Sequence, residues 1–241
     1  MRTRHSLQDQ TVVIIGGSSG LGLASAQAAI HAGARVIIGS SSTDKLQQAV
    51  HSLGQQASGH PVDVLDAASI QAFFAAIPAL DHLLITAAVI RPGLLLEADI
   101  TALQTNLDSR FWGSVHSIRA ATPRLAASGS ITLTSGMVTQ RPQPGKALAA
   151  VAAGAVETLA HSLVAELAPR RINVISPGPM HTPLLSGALG NDATRLQALA
   201  HTLPLKRLGE ASEFAEAALF LMANPGMNGE VLHLNGGAAW A

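Results

Sequence analysis

The sequence predicts a single α/β domain over residues 1–241, built as a doubly wound parallel sheet with helices on both faces. Three observations predict it. The chain has 241 residues and is 48% hydrophobic, enough to bury one large core. Short β-branched runs alternate with alanine-rich stretches of helical length. A glycine-rich turn joins the first apolar run to the first helical stretch.

The elements follow in order. "TVVIIG" is apolar on both faces, as a strand buried in a parallel sheet must be. "LGLASAQAAIHAG" reads as the helix that returns the chain, and "ARVIIGS" as the second strand. "TDKLQQAVHSLG" reads as a helix with Asp44 as its N-cap. "HPVDV", "AASIQAFFAAIP" and "DHLLITA" repeat the strand, helix, strand order. The second half adds "SITLTSG", a long helix within "QPGKALAAVAAGAVETLAHSLVAELAP", then "INVISPG" and "EVLHLNGG". In that helix Leu148, Ala152, Val156, Leu159 and Leu163 form an apolar stripe at helical spacing. No linker or repeat divides the chain. The one irregular stretch, about 177–204, carries "PGPMHTPLLSGALGND" and suits a lid over a ligand.

Composition narrows the function. Fifteen basic and fifteen acidic residues cancel, which argues against nucleic acid or an anionic membrane as partner and for a small-molecule ligand. With no cysteine, disulfides, thiolate metal sites and a thiol nucleophile are excluded. The ten histidines are scattered without a paired H-x-x-x-H spacing, so no metal is expected. The opening "MRTRHSLQDQTVVIIGG" has an apolar run too short for a signal peptide or membrane span, and a cytoplasmic protein is expected.

The turn "GGSSGLG" places Gly16, Gly20 and Gly22 in the pattern G-x-x-x-G-x-G, with Ser18, Ser19 and Leu21 between them. Glycines there let backbone N–H groups approach a pyrophosphate at the positive end of the following helix. With this turn, "HPVDVLD", "DHLLITAA", "TNLDSRFWG", "GSITLTSG", "NVISPGPMHTPL" and "PLKRLGEASEFAEAALFLMANPGMNGEVLHLNGG" stand in the order and spacing of one family. The chain resembles the short-chain dehydrogenases/reductases along essentially its whole length. The resemblance implies a seven-stranded Rossmann-type sheet binding NAD(H) or NADP(H). It implies Asp63 and Val64 beside the adenine, Ala87 and Ala88 near the ribose, and Pro177, Gly178 and Thr182 around the nicotinamide. It also implies a homo-oligomer, dimer or tetramer, to which Phe111, Trp112 and Trp240 are candidate contributors. Two departures stand out: Ile15 replaces the threonine before the first motif glycine, and "TAAV", Thr86 to Val89, replaces "NNAG".

Charge at the end of the second strand decides which nucleotide. A carboxylate there would bind the ribose 2′-OH and repel a 2′-phosphate. "IIGSSSTDKL" has none at Gly39 or Ser40, whereas Ser40, Ser41 and Ser42 offer hydroxyls and amides, with Lys45 near. NADP(H) is favoured over NAD(H).

The family's catalytic set is half present. The resemblance carries Ser135 over as the serine that binds the substrate oxygen, and Asn106 as the helical asparagine that holds a water. The tyrosine position falls on Ala149 and the lysine position on Ala153, and the chain contains no tyrosine at all. Lys146, one turn before Ala149, and His181, on the lid, are the candidate replacement acids. Arg141 could polarise an oxygen but keeps its proton at ordinary pH. The reading is an NADP(H)-dependent oxidoreductase acting on a carbonyl or C=N compound through a non-standard site, with room at Ala149 and Ala153 for a bulky substrate. The rivals are a dinucleotide-binding sensor or scaffold without turnover, and a structural subunit of a mixed oligomer.

Overall fold

The computed structural model describes residues 6–241. Within them the chain runs β1 (Thr11–Ile15), α1 (Gly20–His31), β2 (Arg35–Ser40), α2 (Thr43–Leu53), β3 (Ala57–Pro61), α3 (Ala67–Ala75) and β4 (Leu80–Ile85). It continues through α4 (Ile100–Leu107), a π-helical turn (Asp108–Trp112), α5 (Gly113–Ala121), β5 (Leu125–Thr134), α6 (Ala147–Leu167) and β6 (Arg171–Pro177). Then come β7 (Met180–His181), α7 (Pro183–Ala188), α8 (Ala193–Thr202), β8 (Gly209–Glu210), α9 (Ala211–Ala223) and β9 (Val231–Leu234). Seven of these strands form one parallel sheet in the order β3-β2-β1-β4-β5-β6-β9, while β7 and β8 pair separately. The chain reverses its winding between β1 and β4, and a crevice opens there beyond the strands' carboxyl ends.

Both faces are covered, which is why the strands are apolar throughout. Ile70, Phe73 and Phe74 of α3, Ile118 of α5, and Val156 and Ala160 of α6 pack one face. Ala26 and Ala29 of α1, Leu46 of α2, and Phe214 and Ala218 of α9 pack the other. Each fully buried phenylalanine contributes about 2–3 kcal/mol of transfer free energy. The expected stripe of α6 holds: Ala152 and Val156 are buried, and Leu159 and Leu163 lie against the core. That helix also has the length and apolarity of a membrane span, but it is laid along the sheet through this stripe.

Two expectations need correction. The third strand is Ala57–Pro61, ending where "HPVDV" was to begin in earnest; Ala57, Ser58 and Gly59 pair with Val36, Ile37 and Ile38 despite poor strand propensity. Backbone pairing to a well-formed β2 overrides that local preference. The N-cap of α2 is Ser42, whose hydroxyl accepts the Lys45 N–H, and Asp44 sits in the first turn, where its charge suits the helix dipole.

At the opposite end of the sheet from the crevice, His82 is buried between Ser130 Oγ (2.8 Å) and Gln10 Oε1 (3.1 Å). The glutamine oxygen can only accept, so Nε2 carries the proton and Nδ1 accepts from Ser130. Burial lowers its pKa to about 4, against the raising effect of Asp81 and with a smaller lowering one from Arg171. Arg171 in turn donates to the carbonyls of Leu221, Met222 and Met227, closing the end of α9.

Candidate active site

The crevice is a cleft of about 320 Å³. Its wall contains Gly16, Ser18, Ser19, Gly20, Leu21, Gly22, Ser40, Ser41, Ser42, Asp63, Val64, Ala87, Ala88 and Thr182, all named from the sequence, together with Lys45. Pro177 and Gly178 are not brought to it: Pro177 closes β6 opposite Leu234, and Gly178 backs onto Asn235.

The glycines of the first turn are held at contact distance. A Cβ on Gly22 would lie 2.2 Å from the Gly16 carbonyl oxygen and 2.7 Å from Thr86 Oγ1. Gly16 adopts φ +90°, a left-handed backbone that side chains disfavour. Ser19 caps α1 without a side-chain hydrogen bond, so the first amides of that helix stay free to meet an anion. Thr86 explains how the asparagine is dispensed with. Its hydroxyl donates to the carbonyls of Ile15 (3.2 Å) and Gly16 (3.3 Å), tying β4 to the turn.

A second polar group stands at the end of β2. Ser18 Oγ donates to Ser40 Oγ (2.8 Å), which accepts from the Ser42 N–H (3.3 Å), with Lys45 on the same wall. These hydroxyls, the Ser41 amide and one cation are groups that could hold the ribose end of a dinucleotide, with or without a 2′-phosphate. A dinucleotide therefore fits the wall at both its pyrophosphate and its ribose ends.

The catalytic candidates separate. Ser135 follows β5 and is buried, and its hydroxyl has no partner within the described residues. Asn106 is buried too, but its amide donates to the carbonyls of Arg91 (3.0 Å) and Leu103 (2.8 Å) and accepts from the Arg91 N–H (3.0 Å). It thereby fixes the β4–α4 loop. Lys146 is exposed and donates to Gln143 Oε1 (2.7 Å). His181 is exposed beside Glu210 (3.9 Å) and does not reach the cleft wall, which Thr182 supplies. Arg141 reaches across to the Ala238 carbonyl (2.7 Å). Ala153 is buried and Ala149 half-buried, presenting methyl groups where an acid would be needed.

Two charged residues escaped the sequence reading. Arg110 lies in the π-helical turn, which packs against α6, and its Nη1 donates to the carbonyls of Thr134 (3.0 Å) and Ser135. Burial lowers its pKa to about 10, so it remains a cation near neutrality. The available signal was a lone cation one helical turn after Asn106; the π geometry that aims it has no local signature. Glu157, in line with Ala149 and Ala153 on α6, accepts from Thr139 Oγ1 (3.3 Å) and was likewise missed.

A family model described as enoyl-(acyl carrier protein) reductase matches residues 16–239. The short-chain dehydrogenase/reductase malC of Malbranchea aurantiaca is 31% identical over 257 residues, covering 98% of this chain and 97% of that protein. A solved structure described as the MalC reductase/Diels-Alderase superposes with TM-score 0.90 at 29% identity, covering 99% of each chain. An NADPH-bound short chain oxidoreductase from Pseudomonas aeruginosa PAO1, described as containing an atypical catalytic center, gives TM-score 0.89 at 27% identity, covering 97% of this chain and 99% of that one.

Proposed function

The chain belongs to the short-chain dehydrogenase/reductase family, and on that premise we propose that it is a cytoplasmic NADP(H)-dependent oxidoreductase that reduces a carbonyl or C=N compound without a phenolic proton donor. The observation that carries this reading is the buried, unpartnered hydroxyl of Ser135. Leaving such a group unsatisfied costs about 1–3 kcal/mol, which a hydrogen bond to a bound ligand removes.

When bound, the dinucleotide supplies a hydride to the substrate. The chain's own part is to seat its pyrophosphate on the α1 amides and its 2′-phosphate on Ser18, Ser40, Ser42 and Lys45. Ser135 donates to a carbonyl oxygen or a neutral imine nitrogen, or accepts from an iminium N–H, and so fixes the carbon that receives the hydride. Reduction of a ketone leaves negative charge on oxygen that a proton must cancel, whereas an iminium becomes neutral on receiving hydride. The methyl groups of Ala149 and Ala153 leave either reaction without a tyrosine, and Asn106 keeps the loop above the site in place.

The same two alanines favour a second reading, a dinucleotide-binding sensor or scaffold. NADPH oxidation across ketones, aldehydes, quinones and imines, with NADH and Ser135→Ala protein alongside, separates the two. Turnover that collapses in the variant supports the reductase; bound NADPH with no turnover of any compound supports the sensor. The exposed apolar side chains of Trp112, Val151 and Trp240 support a homo-oligomer, dimer or tetramer. A monomer in sedimentation velocity would end that part of the proposal.

A further inference from the structure

We propose that Ser176 and Arg110 join Ser135 in one polar niche that receives a substrate carbonyl oxygen, with two hydroxyls and a fixed guanidinium serving a site that has no phenol. This rests on the reductase reading and narrows its substrate class to carbonyl compounds.

Three buried hydroxyls lack a partner among the described residues: Thr132, Ser135 and Ser176. Two of them are neighbours. Thr134 pairs with Ile175 in the parallel register of β5 and β6, and the Ser135 N–H donates to the Ile175 carbonyl, so the next step sets Ser135 opposite Ser176. Register partners on adjacent strands lie about 5 Å apart and point to the same face. That face is the one carrying Ile131 and Leu133 on β5 and Ile172 and Val174 on β6, with α6 laid across it. That helix carries the buried Ala152 and Ala153, whose methyl groups neither donate nor accept. Thr132, by contrast, stands in register with Leu84 on the opposite face and is no part of the group.

Arg110 arrives from the side. It grips the carbonyls of Thr134 and Ser135 through Nη1, and its remaining N–H groups make no hydrogen bond among the described residues. An oxygen placed between the two hydroxyls therefore meets two O–H donors and a cation held on the backbone behind them. That arrangement suits charge developing on oxygen and opposes an iminium, which is already positive. A bound reduced nicotinamide would supply the hydride that becomes the new C–H bond and would itself be the group oxidised. The two hydroxyls and Arg110 would hold the negative charge that moves onto oxygen until water protonates it, releasing hydroxide.

Ser176→Ala tests the niche, because removing an unpartnered hydroxyl should leave the melting midpoint equal or higher while harming function. The ketone kcat is expected to fall about 100-fold with KM little changed. Sodium formate, compared with sodium chloride at equal ionic strength, provides a readout independent of turnover: it should raise the wild-type melting midpoint and fail to do so in Ser176→Ala. Arg110→Lys, which keeps the charge but not the fork, should lose part of the formate shift while staying folded. If Ser176→Ala retains both ketone turnover and the formate shift, the niche is overturned and the reductase reading survives. If the wild type turns over nothing yet shows a formate shift that Ser176→Ala abolishes, the niche stands as an oxygen-binding site and the reductase reading falls. No formate shift in the wild type overturns the niche whatever the activity.

Discussion

Ser40→Asp should turn the nucleotide preference around. Ser40 accepts from Ser18 Oγ at 2.8 Å and from the Ser42 N–H at 3.3 Å, at the mouth of the cleft and next to Lys45 on its wall. If these serines hold the 2′-phosphate, a carboxylate there would face it at ion-pair range, taken as about 4 Å. Each pair of unit charges at that distance costs about 1 kcal/mol in water and about 4 kcal/mol at the effective dielectric of a protein surface. For a half-buried residue at a cleft mouth, partly offset by Lys45, about 2 kcal/mol is reasonable. Losing the hydroxyl's contact with the phosphate adds about 1 kcal/mol. The sum, about 3 kcal/mol, corresponds to a loss of roughly 100-fold in NADPH affinity. NADH carries a diol instead, which the new carboxylate can accept from, so its Kd should hold or improve. Nicotinamide fluorescence titrations of both nucleotides against both proteins measure this directly. An NADPH Kd that moves less than about threefold would refute the assignment of these serines to the phosphate.

The pKa of His82, lowered by burial to about 4 from an ordinary 6.5, makes stability depend on pH. Between those values the unfolded chain binds the proton that the folded chain resists, so stability is lost as pH falls through that window, by up to about 3 kcal/mol. Thermal melts from pH 7.5 to 4.5 should show His82→Gln losing less than the wild type, and parallel curves would sink the idea. Gly22→Ala, whose Cβ would meet the Gly16 oxygen at 2.2 Å, should abolish NADPH binding in the same titration; retained binding would mean that the turn does not hold the pyrophosphate. Thr86→Val removes the hydroxyl bonds to Ile15 and Gly16 and should cost about 1 kcal/mol, seen as a midpoint drop of roughly 2–4 °C with weakened NADPH binding. An unchanged midpoint would show that those bonds carry no weight.

The parts of this protein legible in its sequence are those fixed by neighbours along the chain. β1 declares itself because four of its five positions are buried, β2 because of its apolar run Val36–Ile37–Ile38, and the glycine turn because its glycines fall within seven residues of one another. β3 is hidden because its residues are chosen by pairing with β2 rather than by their own propensity. Ser176 is invisible for a related reason. Nothing in "INVISPG" sets it apart until the register of β5 and β6 puts it across from Ser135, 41 positions earlier. Arg110 depends on a π turn that shifts its direction relative to a regular helix, and no pattern of apolar spacing announces such a turn.

The division between what is kept and what is replaced follows from where each function is anchored. In the proposed site the dinucleotide contacts would come mainly from backbone at strand ends, so Ile15 and Thr86 can stand where the family has other residues as long as the turn stays closed. A proton donor is a side chain and disappears with one substitution. The niche proposed around Ser135 would hold charge but is poorly suited to delivering protons: hydroxyls are weak acids, and Arg110, even lowered to about 10, keeps its proton at neutral pH. Such a site is best matched to a substrate whose oxygen bears the negative charge long enough for water to arrive. In the proposed niche, electrostatic stabilisation would be the chain's contribution to the reaction, and proton delivery would be left to the solvent.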